Sequence, residues 1–199
     1  MKDWRGNYRS IFTTLGASNH SDDERETNDY YATDPYAIDC LLSEVDLPGT
    51  ILEPACGEGH MSIRLEQLGH KVISTDKVDR GYGSVKDFFS YTKTPNGVRS
   101  IVTNPPYRYA TEFVLHGLDI IPYGGVMAML LKTTFLEGQG RHKSIFSKTP
   151  PLWVLQFVKR IVCAKNGDFQ SISSSAASYA WFVWVKGVND TTKIKWINK

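Results

Sequence analysis

Cysteine is scarce in this sequence, with three in 199 residues, and Cys40, Cys56 and Cys163 stand far apart without a CxxC pair. That spacing excludes a disulfide framework and a cysteine-rich zinc site, leaving reduced thiols as the expectation. The five histidines, His20, His60, His70, His116 and His142, fall in no HExxH or other ligand spacing, so no metal is expected. Long apolar runs are missing too. Nothing approaches the roughly eighteen residues of a membrane span, and Met1 to Ser10 lacks the apolar core of a signal peptide. A cytoplasmic chain without a membrane partner is expected. Charge of one sign is also in short supply, the net charge being +2 with 22% charged residues. This excludes a dedicated, strongly basic nucleic-acid binder, so any polyanion must meet a local patch.

What is present is an ordinary globular composition, 41% hydrophobic, on a chain long enough for one α/β domain. Residues 1–29 mix glycine, polar residues and charges without a period of 2 or 3.6, and read as an irregular arm ahead of a domain spanning 30–199. From Asp34-Pro35, the apolar positions Ile38, Leu41, Leu42 and Val45 predict a helix capped by Asp34 and reaching about residue 45. The pattern then predicts a strand over Thr50 to Glu53, a helix from about His60 to Leu68 ended by Gly69, and a strand from Lys71 to Asp76. A strand over Arg99 to Thr103 follows. A helix over Thr111 to Ile121 leads to Val126 to Leu131, whose unbroken hydrophobicity suits a strand covered on both faces. Leu152 to Val158 and Tyr179 to Val185 are two further β-rich runs, placed to pair antiparallel at one edge. This alternation implies an open, mostly parallel sheet of seven strands with helices on both faces and an antiparallel C-terminal strand.

Ligands in such sheets bind at the carboxyl ends of the strands, and there the sequence places its unusual residues. Glu53-Pro54-Ala55-Cys56-Gly57-Glu58-Gly59 breaks the first strand into a turn whose glycines let backbone approach a ligand. A dinucleotide fingerprint would continue as GxGxxG, but the third position after Gly59 is Ser62. Asp76 ends the next strand and can accept from ribose hydroxyls. Asp87-Phe88-Phe89 offers an acceptor beside an apolar surface, or simply core. Asn104-Pro105-Pro106-Tyr107 is the sharpest signal. Its prolines stiffen the backbone around the Asn104 amide. The Asn104 side-chain oxygen and the Pro105 carbonyl can hold the hydrogens of a conjugated amine, and Tyr107 can stack on a base.

In these motifs the sequence resembles the amino-methyltransferases of the Rossmann-like, S-adenosylmethionine-dependent class, most closely the small phage-type adenine-N6 DNA methyltransferases. Tyr30-Tyr31-Ala32-Thr33-Asp34-Pro35 resembles the family's N-terminal cofactor-contacting motif, and Glu53 to Gly59 its glycine turn. Asp76 resembles its ribose acceptor, Asp87-Phe88 its adenine-contacting pair, and Asn104 to Tyr107 its catalytic tetrapeptide. The resemblance therefore implies a class I methyltransferase fold with S-adenosylmethionine as cofactor. The cofactor would be held by Tyr31, Thr33, Glu53 to Gly57, Gly59, Asp76, Lys77, Asp87, Phe88 and Asn104. It implies methyl transfer to adenine N6 in DNA by Asn104, Pro105, Pro106 and Tyr107.

Fewer than half of the residues follow Tyr107, and most must complete the sheet, so no large recognition domain fits there. The candidates for DNA contact are the N-terminal arm, Lys132, Arg141, His142 and Lys143, and the turn Lys165-Asn166-Gly167, against the alternative of an ordinary solvated surface. A glutamine amide in protein or an amino group in RNA presents the same planar, conjugated nitrogen. A catalytically silent cofactor-binding module is a further alternative. Oligomeric state and recognition sequence leave no trace in the residues.

Overall fold

Residues 31–165 and 177–198 are described by the computed structural model of the chain, so the arm expected over 1–29 and Asn166-Gly167 lie outside the described residues. After a three-residue strand, β1 (Tyr31–Thr33), the Asp34 carboxylate accepts from the Tyr36 backbone N–H at 3.0 Å. Pro35 fixes φ at −52°. The chain thus enters α1 (Tyr36–Leu42) directly. This helix is shorter than the apolar spacing implies, because the Ser43 hydroxyl bonds back to the Cys40 carbonyl at 2.9 Å and closes the last turn.

Next come β2 (Thr50–Glu53), α2 (His60–Gln67), β3 (Val72–Asp76) and a two-residue strand, β4 (Ser84–Val85). The alternating part ends with β5 (Val98–Thr103), α3 (Ala110–Ile120) and β6 (Val126–Lys132). The remaining strands are β7 (Trp153–Phe157), β8 (Cys163–Lys165), β9 (Tyr179–Val185) and β10 (Lys193–Ile197).

One sheet runs in the order β10-β7-β9-β6-β5-β2-β3-β4, while β1 and β8 pair antiparallel as a separate ribbon. The sheet is parallel except for β9, which is antiparallel to both β6 and β7. It thus has eight strands among the described residues rather than the expected seven. Lys193 and Lys195 alternate with Ile194 and Trp196 along β10, which sits parallel to β7 at the edge. The expected antiparallel pair of late strands is present, but β9 is internal rather than at an edge. Its residues Tyr179 to Trp184 are all buried, and a strand covered on both faces needs a neighbour on either side.

The unbroken apolar run of β6 divides by alternation. Val126, Ala128 and Leu130 face the core beneath α1 and α2, with Ile38, Leu41, Met61 and Leu65. Met127, Met129 and Leu131 face the core beneath α3, with Phe113, Val114 and Phe88. Arg64 of α2 and Asp39 of α1 bridge the first layer at 2.5 Å. No helix among the described residues is long and apolar enough to cross a membrane.

Trp181 fastens β9 to the helical layer, fully buried and donating from Nε1 to the Ala37 carbonyl of α1 at 2.9 Å. Trp181→Ala removes both packing and the bond, and is expected to cost about 3–5 kcal/mol of unfolding free energy in denaturant titration.

Candidate active site

The chain leaves β2 toward β3 and β4 on one side but leaves β5 toward β6 on the other, although β2 and β5 are neighbours. Connections that diverge in this way open a crevice at the carboxyl ends of the two strands. The glycine turn follows β2 and Asn104 follows β5, so the crevice lies between them.

Within the turn, Gly57 and Gly59 have φ of +55° and +85°, values that favour glycine. The Gly57 N–H donates to Asp76 Oδ2 at 2.9 Å, and Val78 N–H donates to Asp76 Oδ1 at 2.9 Å. Asp76 therefore ties the turn to the end of β3, with further lone pairs on both oxygens. A Cβ on Gly59 would stand 2.4 Å from the Tyr82 ring. Tyr82 thus covers the turn, a contact that nothing in the local sequence signals.

Glu53 is 1% exposed and accepts from the Ser62 hydroxyl, which lies 2.6 Å from that of Ser74. Burial pushes the Glu53 carboxyl up from 4.5 to about 8, with the Ser62 bond opposing the rise. Ser62, at the place where a dinucleotide fingerprint has glycine, thereby serves as the partner of a buried acid. Burial likewise pushes the Cys56 thiol up to about 12.

Asp87 caps a 3₁₀ turn by accepting from Phe89 N–H on Oδ1 at 3.0 Å, and pairs through Oδ2 with Lys77 at 3.0 Å. Lys77 is exposed, so it can yield to a competing donor. The Phe88 ring is 1% exposed and packed on Phe113 with centroids 4.8 Å apart. It belongs to the core, and its side chain offers no face to an adenine. Phe89 is the exposed ring of the pair, at 43%.

Asn104 is the most informative residue. Its Nδ2 donates to the Tyr31 carbonyl at 3.3 Å and to Thr33 Oγ1 at 2.8 Å. A carbonyl can only accept, which settles which end of the carboxamide faces β1. Asn104 Oδ1 is left buried without a hydrogen-bond partner among the described residues.

Tyr107 is half-buried rather than an open platform. Its ring stacks on Tyr179 (5.7 Å), approaches Tyr31 (6.0 Å), and carries the Lys132 ammonium 4.8 Å from its centre. A base can meet this ring only where those neighbours leave it open. Burial holds the Tyr107 hydroxyl well above its ordinary value. Pro105 is buried and Pro106 leads into a 3₁₀ turn.

The basic candidates separate. Arg141 turns inward, donating to the carbonyls of Phe135 (2.8 Å), Thr134 (3.2 Å) and Glu137, with its guanidinium over the Phe135 ring. It staples its own loop through these bonds. Lys132, His142 and Lys143 are exposed. Among the described residues no three His, Cys, Asp or Glu side chains are placed to hold a metal ion.

No family model and no curated protein matches the sequence. The fold does match solved structures, at 14% identity in each of three cases. A methyltransferase subunit of a type I restriction-modification system from Streptococcus thermophilus has a TM-score of 0.58 over 83% of this chain and 46% of its own. A Listeria monocytogenes protein assigned to the class I S-adenosylmethionine-dependent methyltransferases scores 0.53 over 81% and 61%. A Pyrococcus horikoshii protein assigned as an RNA methyltransferase scores 0.52 over 78% and 80%. This chain spans less than two thirds of the length of the first two. Its fold is the Rossmann-like fold of class I methyltransferases, with a mostly parallel mixed sheet between helical layers.

The Glu53 carboxyl gives the site a pH signature. It ionises near pH 4.5 in the unfolded chain but near pH 8 when buried, so between these values unfolding releases a proton. Its contribution to stability therefore falls as pH rises through that window and levels off above it. Denaturant titrations at about pH 5, 7 and 9 are expected to show this decline in the wild type and a flatter profile in Glu53→Gln.

Proposed function

We propose that this chain transfers the methyl group of S-adenosylmethionine to a conjugated amino nitrogen held by Asn104, with adenine N6 in DNA as the acceptor. One observation carries the reading: among the described residues the buried Oδ1 of Asn104 lacks a partner while its Nδ2 is doubly held. A buried acceptor left open is costly, on the order of 1–3 kcal/mol, unless a ligand supplies the donor.

The cofactor fits the residues present. The positive-φ glycines allow close backbone approach, and Asp76 stands at the end of β3 where a ribose can be met. In the proposed site the turn from Glu53 to Gly59, with Asp76, Lys77 and Asp87, would hold S-adenosylmethionine, with Tyr31 closing it from β1. When bound, the cofactor supplies a methyl group already activated by its sulfonium. Asn104 Oδ1 and the Pro105 carbonyl accept the amine hydrogens and favour a tetrahedral nitrogen with an available lone pair. The nitrogen held in this way would take the methyl group, the electrons of the carbon–sulfur bond leaving on the cofactor's sulfur, and would release its proton, acidic once the nitrogen is methylated, to water. No base of high pKa is required, so catalysis rests on positioning and on acceptors fixed in advance.

Likeness of fold to a restriction-modification methyltransferase favours DNA as the acceptor, and likeness to a protein assigned as an RNA methyltransferase keeps an RNA amino group as the second reading. An adenine stacked in a duplex must be flipped to reach the crevice. Single-stranded sites do not carry that cost, so activity on them is expected to equal or exceed activity on duplex.

Labelled methyl transfer tests the reading, with adenine-containing oligonucleotides offered beside adenine-free oligonucleotides and glutamine-containing peptides. Label is expected in adenine with the wild type and at least a hundredfold less with Asn104→Ala, whose cofactor affinity stays intact. Label in the peptide alone would replace the adenine assignment with a glutamine amide. In calorimetry, Asp76→Ala is expected to lose about 1.5–3 kcal/mol of cofactor binding, roughly tenfold to hundredfold in affinity.

A further inference from the structure

Both hydrogen bonds that hold Asn104 come from the β1–β8 ribbon, not from the sheet that carries the tetrapeptide. We infer that Thr33 is a positioning residue for Asn104, its Oγ1 fixing the carboxamide so that Oδ1 faces the acceptor amine. The inference rests on the methyl-transfer reading above, and it gives Thr33 work on the acceptor rather than on the cofactor.

The torsion of an asparagine carboxamide is broad and roughly two-fold, so a free Asn104 could present either oxygen or NH2 to the crevice. Presenting NH2 would set donor against donor at an incoming amine. The Tyr31 carbonyl at 3.3 Å and Thr33 Oγ1 at 2.8 Å remove that ambiguity by claiming both Nδ2 hydrogens. Thr33 can do so because it is 3% exposed and locked in strand register opposite Cys163, beyond competition from water. The orphaned Oδ1 is the other half of the same arrangement. Tyr31 contributes through its backbone, which no side-chain substitution removes, so Thr33 is the half of the clamp open to mutation.

The test uses the full chain, with Thr33→Val removing the acceptor at nearly constant shape and Thr33→Ser retaining it. The side-chain amide resonances of Asn104, assigned by their absence from Asn104→Ala, are followed by ¹H–¹⁵N NMR. Cofactor affinity and kcat are measured beside them. Thr33→Val is expected to shift the amide pair and to lower kcat roughly 5- to 100-fold at saturating cofactor, the consequence of leaving a buried donor unpaired. Its cofactor Kd should stay within about twofold of wild type, and Thr33→Ser should restore both readouts. Thr33→Ala, which adds no bulk, takes the place of Thr33→Val if that variant does not fold. An undisturbed amide pair with unchanged kcat overturns the inference. So does weakened cofactor binding with kcat unchanged at saturation, the signature of a cofactor ligand. A wild-type chain that methylates none of the offered acceptors refutes the methyl-transfer reading alone, and the amide resonances still decide whether Thr33 holds Asn104.

Discussion

β2 and β5 lie side by side, yet the chain departs from them in opposite directions across the sheet. That divergence keeps any connection from covering the carboxyl ends of the two strands, and the crevice so opened is the constraint on which the site depends. Everything distinctive in the sequence is then brought to the same rim: the glycine turn after β2, Asp76 at the end of β3, and Asn104 after β5. The strands supply rigidity. β6 and β9 are buried on both faces, and the ladder between them runs from Val126↔Val185 to Lys132↔Tyr179, so the rim is fixed from beneath.

Polar groups around the crevice divide into those satisfied internally and those left open. Asp76 closes on Gly57 and Val78, and Glu53 closes on Ser62. Among the described residues, Asn104 Oδ1 does not close. Folded chains pair nearly all buried polar atoms, and departures concentrate where a ligand completes the count. The proposed chemistry makes use of that departure, because an amine hydrogen is the donor the oxygen lacks. The ribbon of β1 and β8 completes the arrangement from outside the sheet, binding the other end of the same carboxamide.

Much of this architecture was legible in the residues because it rests on local signals. Asp34-Pro35 begins a helix, Gly69 ends one, and the unbroken apolar run from Val126 to Leu131 needs cover on two faces, which it receives from α1, α2 and α3. The position of β9 was less legible. Antiparallel pairing with β7 is readable from two β-rich runs, but insertion between β6 and β7 depends on non-local partners, and only the continuous burial of Tyr179 to Trp184 hints at it. β10 carries no such local signal: its lysines alternate with Ile194 and Trp196, and its place depends on Trp153 of β7, whose ring lies beneath Lys193 and Lys195. Side-chain roles were hardest to read. Arg141 reads as a phosphate ligand in a basic segment, and its bonds to the carbonyls of its own loop are not signalled by the sequence. Phe88 and Phe89 are adjacent and chemically alike, yet one is core and the other surface. Ser62 and Tyr82 act through contacts that no spacing rule encodes.

The central claim is that Asn104 directs a methyl group to an adenine amino nitrogen in DNA. Nucleoside analysis of genomic DNA from a host without adenine methylation of its own, expressing either the wild type or Asn104→Ala, tests it most directly. The account predicts N6-methyladenine in DNA from wild-type cells and none above background in DNA from Asn104→Ala cells. N6-methyladenine absent from both, or equally abundant in both, would contradict it.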